Sequence, residues 1–233
     1  MPSGQSFATT PDGNHMLDGT MKDLYKGPYL NFGINTLFKT RTNWIYSIDG
    51  YLTIGNDNLT RRWDRMSNVF TTDSIIIGTN GTDGAVSCYN RGLSLSAGIG
   101  HIFNIDPKVP NSGFVAKANA GWYMNKTVFM VNKVHSPQVE DNYAKLYDHF
   151  RQGFLLSESI GYLFMNKTRT IINLYVSFEV SQMWGKCNRP YVIDDLMGLS
   201  GPDNNRYFDM VYSLKLCWMF PLTGKPHYDY YFY

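Results

Sequence analysis

A chain of 233 residues with a net charge of +2 and no basic stripe is not built to track a phosphate backbone, so no nucleic-acid partner is expected. Aromatic residues make up 15% and charged residues only 17%, yet mean hydropathy is −0.29, and no run of about 18 apolar residues occurs to form a membrane helix. A membrane β-barrel escapes that test, because only alternate residues of its strands face lipid.

The chain opens "MPSGQSFATTPDGNH", without the basic start and apolar stretch of a secretory signal. It reads as a cytoplasmic protein or as a mature or shortened form, and the strand pattern favours the second. From there on period-2 alternation dominates. In "YLNFGINTLF" Leu30, Phe32, Ile34, Thr36 and Phe38 share a face. In "NWIYSIDGYLTI" the apolar face is Trp44, Tyr46, Ile48, Leu52 and Ile54. "GLSLSAGIGHIF" and "FVAKANAGWYM" repeat the pattern, the second setting Ala116, Ala118, Ala120 and Trp122 against Lys117, Asn119 and Gly121.

Three more strands follow: "GFLLSESIGYLFM", "IINLYVSFEVSQMW" and "MVYSLKLCWMF". The first leaves a choice. If its Leu-Phe ending matches that of "LFKTRTNW", Glu158 faces outward among Phe154, Leu156, Ile160, Tyr162 and Phe164; a bulge or the opposite register turns it inward. A soluble β-sandwich alternates too, but three features favour lipid. The polar faces carry Gly, Ser, Asn and single charges, as a crowded lumen does. Aromatics such as Phe38, Trp44, Phe103, Trp122, Trp184, Trp218 and Phe220 gather near strand ends, as interfacial girdles do.

The third feature is connection length. "KTRT", "NIDPKVPNSG" and "NKTRT" are short, whereas the alternate connections, about 55–90, 131–150 and 185–206, are long. That is the asymmetry of outer-membrane barrels, with short periplasmic turns and long extracellular loops. It also explains why a Lys-Thr-Arg-Thr phrase occurs twice, at two equivalent turns. The predicted fold is therefore all-β, an antiparallel transmembrane β-barrel of about eight strands in the cell outer membrane. Seven strands are readable. The eighth is missing, supplied by another chain, or hidden in "GQSFATT" or "HYDYYFY". The division is 1–27 as an N-terminal loop or remnant, 28–220 as barrel, and 221–233 as an aromatic tail.

The lumen-facing charges Asp49, Lys117, Glu179 and Lys215 are two of each sign, and a narrow interior requires them to pair. A plugging network is the expectation, with a conducting pore the alternative. Among the long connections, "SPQVEDNYAKLYDHFRQ" predicts a helix capped by Ser136, with Pro137 at N1 and Val139, Tyr143, Leu146 and Phe150 on one face. Arg61, Arg62 and Arg65 surround Trp63, a candidate contact for lipopolysaccharide phosphates or another subunit. Candidate partner contacts are Glu158, the helix residues Tyr143, Leu146 and Phe150, and the tail residues Tyr230, Tyr231, Phe232 and Tyr233.

Cys88, Cys187 and Cys217 lack metal-like spacing. Cys88 and Cys187 fall in segments that read as loops, so either a bridge between them or three free thiols is open. None of His15, His101, His135, His149 and His227 has paired-ligand spacing, so no metal and no cofactor is expected. A lipid-modifying enzyme would need Ser96 with His101, or Ser136 with His135, and no motif supports either pair.

The ending "YSLKLCWMFPLTGKPHYDYYFY", with "GPYLNFG" and the "KTRT" hairpin style, resembles small outer-membrane barrels of OmpA/OmpX-like architecture, particularly those of Bacteroidetes-type bacteria. The resemblance spans Gly27 to Tyr233 as architecture and carries no functional motif. It implies a non-enzymatic accessory subunit of an outer-membrane complex, in secretion or barrel assembly. Its partners would be outer-membrane lipid, lipopolysaccharide and other outer-membrane or periplasmic subunits. A small pore, a surface ligand-binding barrel and a lipid-modifying enzyme are the alternatives.

Overall fold

A strand that shows one face to lipid and the other to polar groups needs a closed sheet, because an open edge in a bilayer leaves backbone amides unpaired. The computed structural model describes residues 29–55, 66–71, 75–104, 112–132, 134–165, 173–195 and 198–220, and the backbone of 4–9. The wall strands are β1 Gly4–Thr9, β2 Tyr29–Lys39, β3 Trp44–Gly55, β4 Asp83–Asn104, β5 Gly113–Asn132, β6 Arg151–Met165, β7 Asn173–Cys187 and β8 Arg206–Trp218. Each pairs antiparallel with the next, and β8 pairs with β1, so the sheet returns on itself. The result is a closed eight-stranded barrel, not a sandwich.

The eighth strand lies in "GQSFATT". Phe7 stands in register with Leu30 of β2 and Leu214 of β8. Segment 1–27 thus supplies a wall strand and is not only an outer loop. At the opposite end of the barrel, the Thr40–Asn43 turn closes tightly. The Thr40 amide donates to Trp44 O at 2.8 Å, and the Trp44 amide donates to Thr40 Oγ1 at 3.1 Å. Asn43 takes φ 64°, a conformation Asn tolerates better than most residues. The second copy of the phrase, within 166–172, lies outside the described residues.

Two of the long connections are shorter than the sequence suggests. β4 runs 22 residues and β5 20, against about 9–11 needed to cross a bilayer. Their ladder continues to Ala85 opposite Asn132. This upper part keeps the alternation, with one face covered and Asp83, Ala85 and Met130 of the other exposed. Val86 and Cys88 are buried with Met66, Ile76 and Val139, and Phe129 and Val131 pack against that cluster. Cys88 and Cys187 therefore sit in strands, and all three cysteines are free and buried.

The wall alternates as a membrane barrel must. Ile34, Ile48, Leu52, Ile160, Leu214 and Leu216 are exposed on its outside. Toward the short-turn end the outer face carries Phe38, Trp44, Phe103, Phe114, Phe164 and Trp218. Toward the long-loop end Trp122, Phe154, Trp184 and Phe208 stand opposite one another across four strands. Phe154 to Phe164 on β6 spans the band between them. Ten residues at roughly 3.4 Å each, tilted about 40°, give about 26 Å, close to the ~25 Å apolar band of such barrels. The protein is an outer-membrane β-barrel.

Candidate functional site

The lumen is layered. Ile45, Ile102, Val115, Leu163, Tyr175 and Cys217 form an apolar floor at the short-turn end. Above it lies the polar layer that the sequence marks with four charges. Lys117 Nζ donates to Asp49 Oδ2 at 2.7 Å, with Asp49 fully buried, and Asn35 donates to the other carboxylate oxygen. Lys215 donates to Glu179 Oε2, and Ser181 donates to Glu179 Oε1 at 3.2 Å. Lys215 Nζ also sits 4.2 Å from the centroid of the Tyr51 ring.

Asn119 ties the layer together across the barrel, accepting from Ser47 and donating to Ser157 at 3.2 Å. It fits because Gly98 has no side chain: a Cβ there would fall 1.7 Å from Asn119 Oδ1. Taking charges out of water is costly, so each ion stays buried only with an opposite partner and further hydrogen bonds. These two pairs supply both.

Over the charged layer is a small cavity of about 100 Å³, lined among others by Tyr51, Asn90, Tyr123, Asp209 and Lys215. Arg151 is buried next to one lining residue, its guanidinium 3.8 Å from Asp209 Oδ2 and 3.7 Å from the Tyr207 ring centroid. Beyond Arg151 the long connections pack into a cap. His149 Nε2 lies 3.1 Å from Asp194 Oδ2, both fully buried. Arg189 donates Nε–H to Asp148 Oδ1 at 2.9 Å and Nη2–H to Oδ2. Asp195 accepts from Ser67 Oγ at 2.7 Å and from Asn68 Nδ2 at 2.8 Å. In this cap the Asp148 hydrogen bond holds Arg189 firmly protonated, and burial pushes the Tyr147 hydroxyl above its usual range.

The predicted loop helix is broken in two. Pro137–Val139 is a 3-10 turn and Asp141–Ala144 a single α-turn, parted where Asp141 adopts φ 48°. Val139 and Tyr143 therefore do not share a face: Val139 is buried and Tyr143 is 61% exposed. Leu146 and Phe150 are half-buried, the first accepting the Ile193 amide through its carbonyl and the second lying under the Arg189 guanidinium. Ser136 does not cap with its side chain; its hydroxyl donates to Gln138 Oε1 at 2.6 Å, and its amide donates to Glu140 Oε1.

Glu158 is exposed on the outer wall, opposite Ala118 on β5 and Val180 on β7. It lies four residues from Phe154 and four from Tyr162, hence near the middle of the apolar band. Neither serine–histidine pair is assembled. Ser96 faces the lumen, whereas His101 packs edge-on against Trp44 and tilted against Phe103, with ring centroids at 5.3 and 4.8 Å. His135 pairs with Glu140, away from the buried Ser136. Among the described residues no group of His, Cys, Asp or Glu is placed to hold a metal. Arg61, Arg62, Trp63 and Arg65, the tail residues Tyr230, Tyr231, Phe232 and Tyr233, and His15 and His227 lie outside the described residues.

Closed wall, paired lumen charges and apolar outer band define the class: a small outer-membrane β-barrel. No protein-family model matches the chain. No curated protein matches it either. Among solved structures it is similar to Ail, the attachment invasion locus protein of Yersinia pestis, crystallised with the heparin analogue sucrose octasulfate. The two are 10% identical over 93% of each chain, with a TM-score of 0.42. The strand pairing, not this likeness, establishes the barrel.

Proposed function

We propose that this barrel is a non-enzymatic subunit of a multi-protein outer-membrane complex, in secretion or barrel assembly, and that a membrane-embedded partner covers its wall at Glu158. The observation that carries the reading is the exposed carboxylate at mid-band. Facing lipid alone it costs on the order of 1–3 kcal/mol, somewhat less than a basic residue at that depth. A donor from a neighbouring protein removes that cost. The surroundings suit close approach: Ala97, Ala116, Ala118 and Ala120 are exposed around Glu158, and their short side chains let a partner come near the wall.

The test is gentle extraction from native membranes of a tagged chain and its Glu158→Leu variant, followed by native gel electrophoresis. The parent is expected to bring a stoichiometric partner, and the variant to lose it while keeping its heat-shifted gel mobility. A parent that runs as a lone monomer overturns the subunit reading. A surface ligand-binding role is the second reading, supported by the ordered cap with its own apolar cluster. Retained partner loss on replacing the 134–150 connection, with Glu158 intact, would favour it.

A further inference from the structure

The outer wall holds a second feature, independent of Glu158. Along β4 the odd-numbered residues face out, and along β5, β6, β7 and β8 the even-numbered ones do, as the exposure of Leu95, Trp122, Phe154, Phe178 and Leu214 fixes. By that parity Arg91 and Lys126 both face outward, directly opposite each other across β4 and β5. Lys186 and Arg206 do the same across β7 and β8, both exposed. The second pair belongs to the cross-strand row Leu93, Met124, Gln152, Lys186 and Arg206, and the first pair stands two residues beyond that row on β4 and β5. The row lies immediately above the aromatic row of Trp122, Phe154, Trp184 and Phe208, on the long-loop side.

Like charges directly opposite in a sheet destabilise it. Here two such pairs occur on the long-loop side of the aromatic row, and among the described residues none of the four cations makes an ion pair. Below Lys186 and Arg206 the wall opens into a groove of about 590 Å³ between Trp122, Trp184 and Phe208, with Gln152 on its rim. A ligand that fits has several negative charges at the membrane surface and an apolar body that descends along aromatic rings. Soluble anions meet only half of that description.

We propose that Arg91, Lys126, Lys186 and Arg206 bind the phosphate groups of an anionic glycolipid of the outer leaflet, whose acyl part lies in the Trp122–Trp184–Phe208 groove. Arginine takes phosphate oxygens in pairs and lysine acts as a point charge, so the mixed pairs bridge phosphates at two spacings. The anion also relieves the repulsion within each pair.

The experiment uses the full chain in zwitterionic detergent with diphosphorylated lipid A as probe, read by native mass spectrometry and by the temperature of the gel-mobility shift. Replacing all four cations by Gln is expected to lower lipid retention at least tenfold, and each pair alone about threefold. Lys145→Gln, an exposed cap lysine, leaves retention unchanged. Added lipid raises the shift temperature of the parent but not of the fourfold variant. Should that variant fail to fold, Lys186→Gln/Arg206→Gln carries the test, since without lipid it loses a repulsion and should fold at least as well as the parent. Equal retention by the variants overturns the proposal. So does equal binding of dephosphorylated lipid A, or of tripolyphosphate with lipid conferring no advantage.

Discussion

Replacing Lys117 by Met tests whether the lumen is held by its ion pairs. The side chain of Lys117 is 3% exposed and that of Asp49 0%, with Nζ and Oδ2 at 2.7 Å. Removing the lysine leaves the buried Asp49 carboxyl without its cation, with Asn35 as its remaining hydrogen-bond partner among the described residues. Breaking a buried pair from one side costs about 3–5 kcal/mol, because the remaining charge keeps its desolvation penalty. Removing both charges is far milder: Asp49→Asn with Lys117→Met substitutes neutral groups of similar size and is expected to fall within about 1 kcal/mol of the parent. The assay is reversible urea unfolding in detergent micelles, followed by the fluorescence of the wall tryptophans Trp44, Trp122, Trp184 and Trp218. A single variant costing under about 1 kcal/mol, or a double variant as unstable as the sum of its singles, would refute the reasoning.

Three further outcomes are expected. Gly98→Leu should destabilise the barrel by more than about 2 kcal/mol by the same assay, since its Cβ would lie 2.7 Å from the Ala118 carbonyl oxygen as well as against Asn119. The three cysteines should react with a thiol reagent only after unfolding, and gel mobility should not depend on reductant, as all three are free and buried. Arg189→Ala should speed proteolysis of the 188–205 connection and cost about 1–2 kcal/mol, because its two hydrogen bonds to Asp148 are only partly shielded from water. Its barrel should still show the parent's gel-mobility shift.

Where one face of a strand meets lipid and the other the lumen, the pattern was legible residue by residue. For Glu158 the sequence left two choices, outward by matching one Leu-Phe ending with another or inward by a bulge, and only the exposure of the strand decides between them. β1 was harder, since "GQSFAT" holds a single large apolar residue and offers no alternation to read. The four lumen charges could be named, but not joined with certainty: Asp49 and Lys117 are 68 residues apart, Glu179 and Lys215 36. The cap was the least legible part. A run with helical spacing is broken there by Asp141 at positive φ, and the upper β4–β5 ladder buries one face under Met66, Ile76 and Val139, which come from distant segments. The cationic collar was missed because its members lie in four segments, although the parity of each strand would have placed all of them on the outside.

The order of the layers bears on where function can reside. If the ion pairs were the only seal, neutralising them would open a path through the lumen. Below them, however, lies a floor of six buried residues, among them Ile45 and Ile102, both at most 1% exposed. Above them Arg151, equally buried, closes against Tyr207. The floor needs no charge and does not weaken when Lys117 or Asp49 is changed. The double variant should therefore stay electrically silent in planar bilayers even though its polar layer has been neutralised. Conductance in that variant would mean that the charges alone shut the barrel, and the pore reading would regain its footing. Silence leaves the outer wall, its cationic collar and the cap as the surfaces through which this barrel can act.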